Sequence, residues 1–227
     1  KFKFQHVLKI PTPSKTFFSM GTAVHAVAEN LTKMQKDNVK STEKLALEIL
    51  DKHWNPSSYR SQKTKEKQDR VTSKDMIKTY LQWEKNNKNK PVDVEPYFRI
   101  PFNGVTLSGK IDRVEQTPEG EYEVIDFKTG AAYKTKNTIK DSVQMNVYAM
   151  GVEKLYGKLP KKASLFYIKH DKIVPHIIEE EALEEFKKKL GITVDAIFDE
   201  KFPANPDEWK CSRCDYAGIC DEKDVTK

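Results

Sequence analysis

Ile111-Asp112-Arg113-Val114-Glu115-Gln116-Thr117-Pro118-Glu119-Gly120-Glu121-Tyr122-Glu123-Val124-Ile125-Asp126-Phe127-Lys128 reads as two strands around a tight turn. Pro118 suits the first central position of a type I turn, and Gly120 suits the left-handed position that follows. Together they predict a three-residue loop, Pro118-Glu119-Gly120, closed by a G1 bulge. That loop pairs Thr117 with Glu121. Carried down the ladder, it sets Val114 opposite Val124 and Asp112 opposite Asp126. Directly opposed residues have Cβ atoms about 4.5–5.5 Å apart. Lys128, two residues past Asp126, falls on the same face, over an apolar floor of Val114 and Val124. A two- or four-residue loop would instead send the two aspartates to opposite faces.

Two facing carboxylates repel one another unless a proton or a cation lies between them. Mg²⁺ or Mn²⁺ is the simplest cation, because each takes oxygen ligands and keeps waters that a phosphate or nucleophile can replace. An ammonium group one pleat away can orient water or stabilise charge developing on a phosphorane-like transition state. Asp112, Asp126 and Lys128 on one face therefore point to metal-dependent phosphodiester hydrolysis. On spacing alone, a solvated hairpin face carrying an ordinary salt bridge has about equal weight.

Upstream of the hairpin the chain is expected to be mainly helical. Ala23-Val24-His25-Ala26-Val27-Ala28-Glu29-Asn30-Leu31 suits a helix, with Ser19 or Thr22 as its cap. A second helix is expected over 41–53, where Ser41-Thr42-Glu43-Lys44 resembles a capping box and Leu45, Ile49 and Leu50 share a face. Residues 55–70 are almost wholly polar and read as a solvated loop. A third helix follows over 72–87, ended by the polar run before Pro91. Strand candidates are 94–100, 105–116 and 121–129. Beyond them the pattern predicts a helix over 141–156, strands at 163–169 and 173–178, and a helix over 180–198.

The 227 residues are expected to form one domain, with 26–90 as a helical elaboration, 92–200 as an α/β core and 201–227 as a cysteine-bearing tail. No run of about 18 apolar residues is present, so a transmembrane helix is not expected. The first residues carry no apolar stretch of the signal-peptide kind, and the start without methionine reads as a fragment of a longer protein. Lys and Arg total 40 against 34 for Asp and Glu, a net charge of +6, which mildly favours a polyanionic partner. The three cysteines, Cys211, Cys214 and Cys220, are an odd and clustered set. They read as metal or cluster ligands in a reducing, cytoplasmic setting rather than as a disulfide framework.

Gly109-Lys110-Ile111-Asp112-Arg113-Val114, followed by Val124-Ile125-Asp126-Phe127-Lys128-Thr129-Gly130, resembles the active-site core of the PD-(D/E)XK nucleases. The likeness is to the RecB-like branch, whose members are attached to DNA helicases or belong to CRISPR-associated exonucleases. Gly21-Thr22-Ala23-Val24-His25 resembles its histidine motif, and Gln144-Met145-Asn146-Val147-Tyr148 its Gln-and-Tyr helix motif. Cys211, Cys214 and Cys220 resemble its C-terminal cysteines. The resemblance implies an α/β fold with a restriction-endonuclease-like core, a mixed sheet flanked by helices. It implies that His25, Asp112, Asp126 and the Phe127 carbonyl ligate Mg or Mn, and that Lys128 positions or activates water. Gln144 and Tyr148, at i and i+4 on one helix face, would hold DNA or Lys128. Glu95 is an ancillary acid candidate. On residues alone, His25 reads first as a partly buried helix histidine, and the Gln-Tyr pair as a packing edge.

Iron–sulfur members of that branch bind a [4Fe–4S] cluster with four cysteines, and this sequence lacks the one that precedes the histidine motif. The cluster is thus expected in the intact protein and absent or incomplete here, with zinc or three thiols as alternatives. The resemblance implies a DNA nuclease acting on single-stranded ends or flaps in repair or recombination alongside a helicase. The alternatives are a catalytically silent DNA-binding or scaffold domain of a helicase and a stand-alone CRISPR-adaptation-type exonuclease. Basic segments at 63–70, 133–140 and 158–162 are the candidate DNA contacts, each otherwise a solvated loop.

Overall fold

The computed structural model describes residues 1–12, 17–59, 62–130, 139–140 and 142–223. It resolves into two compact units, Lys15–Lys187 and a smaller one made of Lys1–Ser14 with Lys188–Lys227.

The larger unit begins with three helices, α1 (Phe17–Lys36), α2 (Glu43–His53) and α3 (Lys63–Asn86). Ala23, Val24, Val27, Ala28 and Leu31 recur at helical spacing on α1 and are all buried. Thr42 caps α2, its hydroxyl accepting from the Leu45 amide at 3.2 Å, and Ala46 and Leu50 form the buried face. Ser19 and Thr22 lie inside α1 and do not cap it; the Ser19 hydroxyl donates to the Asn55 carbonyl instead.

Helix α3 starts nine residues before the expected position, at Lys63, through a stretch too polar to show an apolar stripe. Its inward face is satisfied by hydrogen bonds. Asp69 is buried and accepts from the Tyr59 hydroxyl at 3.0 Å and from Lys65, while the Ser73 hydroxyl donates to the Asp69 carbonyl.

Among the described residues seven strands follow: β1 (Lys90–Val94), β2 (Tyr97–Phe102), β3 (Val105–Lys110), β4 (Arg113–Gln116), β5 (Tyr122–Lys128), β6 (Lys162–Tyr167) and β7 (Lys172–Ile177). The five-stranded sheet has the order β1-β4-β5-β6-β7, antiparallel except for the β5–β6 pair, and β2–β3 is a separate hairpin. Helix α4 (Val143–Tyr156) lies in the crossover that a parallel β5–β6 pair requires. Gly157 ends it in the left-handed conformation (φ 74°). Helix α5 covers Glu180–Phe198, the range expected.

Two expected strands are each broken in two. Glu95-Pro96 bends the chain between β1 and β2, with Glu95 at φ 53° and no N–H on Pro96. Ile111-Asp112 bends it between β3 and β4. The two bends are laced together: the Glu95 amide donates to the Asp112 carbonyl and the Ile111 amide to the Pro96 carbonyl, both at 3.1 Å.

The sheet is buried on both faces, and alternation along β5 sorts them. Ile125 and Phe127 join the core made by α1, α2 and α3, whereas Val124 joins Val114, Ala163 and Leu165 under Met145 and Val152 of α4. In the smaller unit, Lys3–Val7 forms a π-helical turn and Glu208–Ser212 a short helix, α6. Tyr216 is buried there and donates its hydroxyl to the Ile10 carbonyl at 2.9 Å.

Candidate active site

The turn forms as the sequence predicts. Thr117 N–H donates to the Glu121 carbonyl and Gly120 N–H to the Thr117 carbonyl, each at 2.9 Å, with Gly120 at φ 84°. Val114 is therefore opposite Val124, and Arg113 opposite Ile125. Asp112 is the next residue beyond the ladder, level with Asp126, and its Oδ2 accepts from the Phe127 amide at 2.8 Å. Phe127 thus enters the site through its N–H, which fixes the Asp112 carboxylate against β5.

Three further side chains converge on these aspartates. His25 Nδ1 is 3.4 Å from Asp112 Oδ2. It arrives from α1, whose buried residues pack in the layer of Ile125 and Phe127. Its ring also meets Phe127 edge-on, with centroids 6.4 Å apart. Gly21 permits the approach of α1, since a Cβ there would lie 3.1 Å from Thr129 Oγ1. Lys128 Nζ lies 2.7 Å from Asp126 Oδ2 and donates to Gln144 Oε1 at 3.1 Å. Gln144 Nε2 in turn donates to Asp126 Oδ1 and to the Tyr148 hydroxyl, both at 2.9 Å.

The electrostatics are those of crowded, half-compensated charge. Burial pushes the Asp126 carboxyl up to about 6, and the nearby Asp112 charge adds to this; Lys128 and His25 oppose it. Burial disfavours charge on His25, but its contact with Asp112 and the charges of Asp112 and Asp126 outweigh it, so its pKa is raised. Burial, then the Asp126 charge, raises Tyr148 and keeps it a phenol.

Asp126 is only 3% exposed at its side chain, and its Oδ2 faces the Lys128 ammonium at 2.7 Å. Burial and the neighbouring Asp112 charge raise the Asp126 carboxyl despite that ammonium, so the pair of carboxylates has room for a further cation. Two carboxylates and an imidazole are a suitable donor set for Mg²⁺ or Mn²⁺. As they stand, no three His, Cys, Asp or Glu side chains among the described residues are gathered closely enough to hold an ion. The positive charge against Asp126 comes from Lys128.

An open groove of ≈ 1220 Å³ runs from Lys128 along α1 and α3. Glu95 lines it and pairs with Lys110. Lys65, Gln68 and Thr72 of α3 and Lys169, just beyond β6, also line it. The sequence marks this wall only through the basic segment 63–70, because the helix bringing these residues to the groove carries no periodic apolar signal. Lys158 and Lys162 are tied to Glu121 and Glu123, at the other end of β5 from Lys128. Of the segment 133–140, residues 133–138 lie outside the described residues. Cys211, Cys214 and Cys220 are half-buried and not disulfide-bonded.

The mixed sheet flanked by helices thus carries two carboxylates and a lysine at the end of its central hairpin. The family model of the PD-(D/E)XK nuclease superfamily matches residues 1–221, and the chain belongs to that superfamily. The gene 69 protein of Mycobacterium phage D29 is 30% identical over 133 residues, 56% of this chain and 47% of that protein. The gene 69 protein of Mycobacterium phage L5 is 28% identical over 148 residues, 61% of this chain and 49% of that one. The chain spans about half the length of the curated relatives it matches. Among solved structures, SSO0001 is similar over 98% of this chain and 94% of its own, with a TM-score of 0.40 and 16% identity. A candidate exonuclease from Eubacterium rectale is similar over 96% of each chain, with a TM-score of 0.44 and 12% identity. Among the described residues, no helix is long and apolar enough to cross a membrane.

Proposed function

We propose that this chain is a Mg²⁺- or Mn²⁺-dependent deoxyribonuclease that cleaves single-stranded ends or flaps. The observation that carries the reading is the buried Asp126 carboxylate, raised by burial and by the Asp112 charge, with Lys128 drawn against it and His25 against Asp112. Asp112, Asp126, His25 and the Phe127 carbonyl would hold the ion. When bound, it supplies Lewis-acid polarisation of the scissile phosphate and lowers the pKa of a coordinated water.

The chain's own groups do the rest. Lys128 holds an ammonium at the mouth of the site, 34% exposed, where it can orient the attacking water and meet charge developing on the phosphate. Gln144 keeps that ammonium and Asp126 in one frame. The Phe127 amide holds the Asp112 carboxylate in its rotamer. Lys65, Gln68, Thr72 and Lys169 offer cationic and hydrogen-bonding groups to a phosphodiester backbone lying in the groove.

Assignment to the RecB-like branch, with a helicase in the same polypeptide or complex and a role in repair or recombination, is supported by the ordered motifs from Gly21 to Cys220. The unbridged cysteines support a reducing, cytoplasmic setting. The [4Fe–4S] cluster suggested by the C-terminal cysteines is a proposal only where a fourth ligand is supplied. The three thiols present do not fit it, because four ligands are wanted and the described residues gather no metal-holding group. No step of hydrolysis passes through it, and iron and sulfide analysis after anaerobic purification tests it.

The deciding experiment for the nuclease is cleavage of 5′- and 3′-labelled single strands with Mn²⁺, in wild type and in Asp112→Ala. Products that appear with Mn²⁺, vanish with EDTA and vanish in the variant are expected. Cleavage that persists in EDTA, or in Asp112→Ala, overturns the reading.

A further inference from the structure

The Gly109 of the hairpin motif and a second glycine, Gly151 on α4, face the same aromatic ring. Phe98 on β2 is 1% exposed and pairs directly with Gly109 on β3. A Cβ built on Gly109 would lie 2.7 Å from Phe98 Cζ, and one on Gly151 would lie 2.7 Å from Phe98 Cδ1. Neither distance is tolerated by carbon atoms in contact, so any side chain at either position displaces a ring that has nowhere to go. The two glycines form a slot, and the ring in it docks the β2–β3 hairpin onto α4.

The slot has a direction. Phe98 presents a T-shaped contact to Tyr148, with centroids 6.2 Å apart and planes at 87°. Tyr148 lies one helical turn before Gly151, and its hydroxyl accepts from Gln144 Nε2 one turn earlier still. Gln144 then reaches Asp126 through Nε2 and Lys128 through Oε1. The amide cannot flip without losing both, because the lysine only donates and the carboxylate only accepts.

We propose that Phe98, held between Gly109 and Gly151, is a positioning residue: by fixing the Tyr148 ring it orients Gln144, and through Gln144 the Lys128 ammonium against Asp126. Phe98 touches none of the reacting groups. The proposal rests on the nuclease reading for its catalytic consequence, while the coupling itself is measurable in the resting protein.

Phe98→Leu keeps an apolar side chain in the slot and removes the ring edge. The side-chain amide resonances of Gln144, followed by ¹⁵N NMR without metal or DNA, should move in this variant. In the Mn²⁺ cleavage assay kcat should fall about tenfold with KM within about twofold, the split expected when an orienting group is removed. The fall should be non-additive with Gln144→Ala, the double variant being no slower than Gln144→Ala alone. Phe98→Met, which also fills the slot without a ring, repeats each measurement if Phe98→Leu does not fold. Unmoved Gln144 resonances, or fully additive rate losses, overturn the proposal. Moved resonances in a protein that never cleaves DNA uphold the coupling and overturn the nuclease reading instead.

Discussion

Gln144 bridges two groups of opposite charge: its Nε2 donates to Asp126 at 2.9 Å while its Oε1 accepts from Lys128 at 3.1 Å. One amide from α4 thus holds a base-like carboxylate and an ammonium that sit two residues apart on β5. Lys128 also pairs with Asp126 directly. The ammonium is therefore placed by the protein before any substrate arrives, the preorganisation that electrostatic catalysis depends on.

Lys128→Ala should separate turnover from binding. On the proposed function its charge acts in the transition state, so kcat should fall by about 10²-fold or more while single-strand affinity changes by less than about threefold. Single-turnover cleavage beside fluorescence anisotropy measures both. Equal losses would make Lys128 a phosphate anchor.

Arg113, next to Asp112, should be the most damaging polar position to truncate. Its side chain is fully buried, with Nη1 2.6 Å and Nη2 3.1 Å from the Glu84 carboxylate and Nε 2.7 Å from Glu115. Nη1 also donates to Thr32 of α1, and the guanidinium lies over Trp83. Arg113→Met leaves two acids without their shared cation, which should cost about 3–5 kcal/mol. Urea unfolding measures it, and a loss below about 1 kcal/mol would show Glu115 to be satisfied by Asn87 and Asn89 and Glu84 by water.

How much of this is legible in the sequence follows from which interactions are local. Pro118 and Gly120 fix a turn, and a period of two carries that turn's register to Asp112 and Asp126 without knowledge of the rest. Helix α5 shows a helical pattern over its whole length, and its bounds follow from that pattern. The start of α3 is hidden because polar groups fill its buried face: Asp69 finds its partner, Tyr59, in another element, and Ser73 bonds back to the Asp69 carbonyl. The breaks at Glu95-Pro96 and Ile111-Asp112 are hidden because the two bends bond to each other and not to their own neighbours in the chain. His25, Gln144 and Tyr148 stand in recognisable motifs, but nothing local says that α1 and α4, on opposite layers, meet at one strand end. Phe98 carries no signal, since its environment is two glycines and a tyrosine brought together by packing.

Glu115 gives the stability curve a limb of predictable sign. Burial holds its carboxyl above the ordinary value near 4.5, against the pull of Arg113 and of the Asn89 and Asn87 amides. A folded-state pKa above the unfolded one means that the folded protein binds the extra proton between those two values. Its contribution is thus most favourable below the unfolded pKa and falls as pH rises through the raised one. Stability of wild type minus that of Glu115→Gln should decline as pH rises above about 4.5 and then level off. Denaturation midpoints from pH 4 to 7 trace it, and a difference that rises with pH would reverse the assigned shift.

The groove makes a distinction among its lysines. Lys65 is already paired with the buried Asp69, whereas Lys169 is exposed and, among the described residues, has no ion pair. A cation with no protein partner gains most from a phosphate, and removing one lysine–phosphate pair should lower the slope of log affinity against log salt by about 0.7 for a single strand. Lys169→Ala should therefore weaken binding of single-stranded DNA at low salt and flatten the slope by about that amount, equally for unrelated sequences. Lys65→Ala should change affinity less and cost fold stability instead, because it strands Asp69 against Tyr59 alone. Titrations by anisotropy over roughly 50 to 300 mM salt, on both variants and two unrelated oligonucleotides, separate the roles. An unchanged slope in Lys169→Ala would place the strand's path on another wall of the groove.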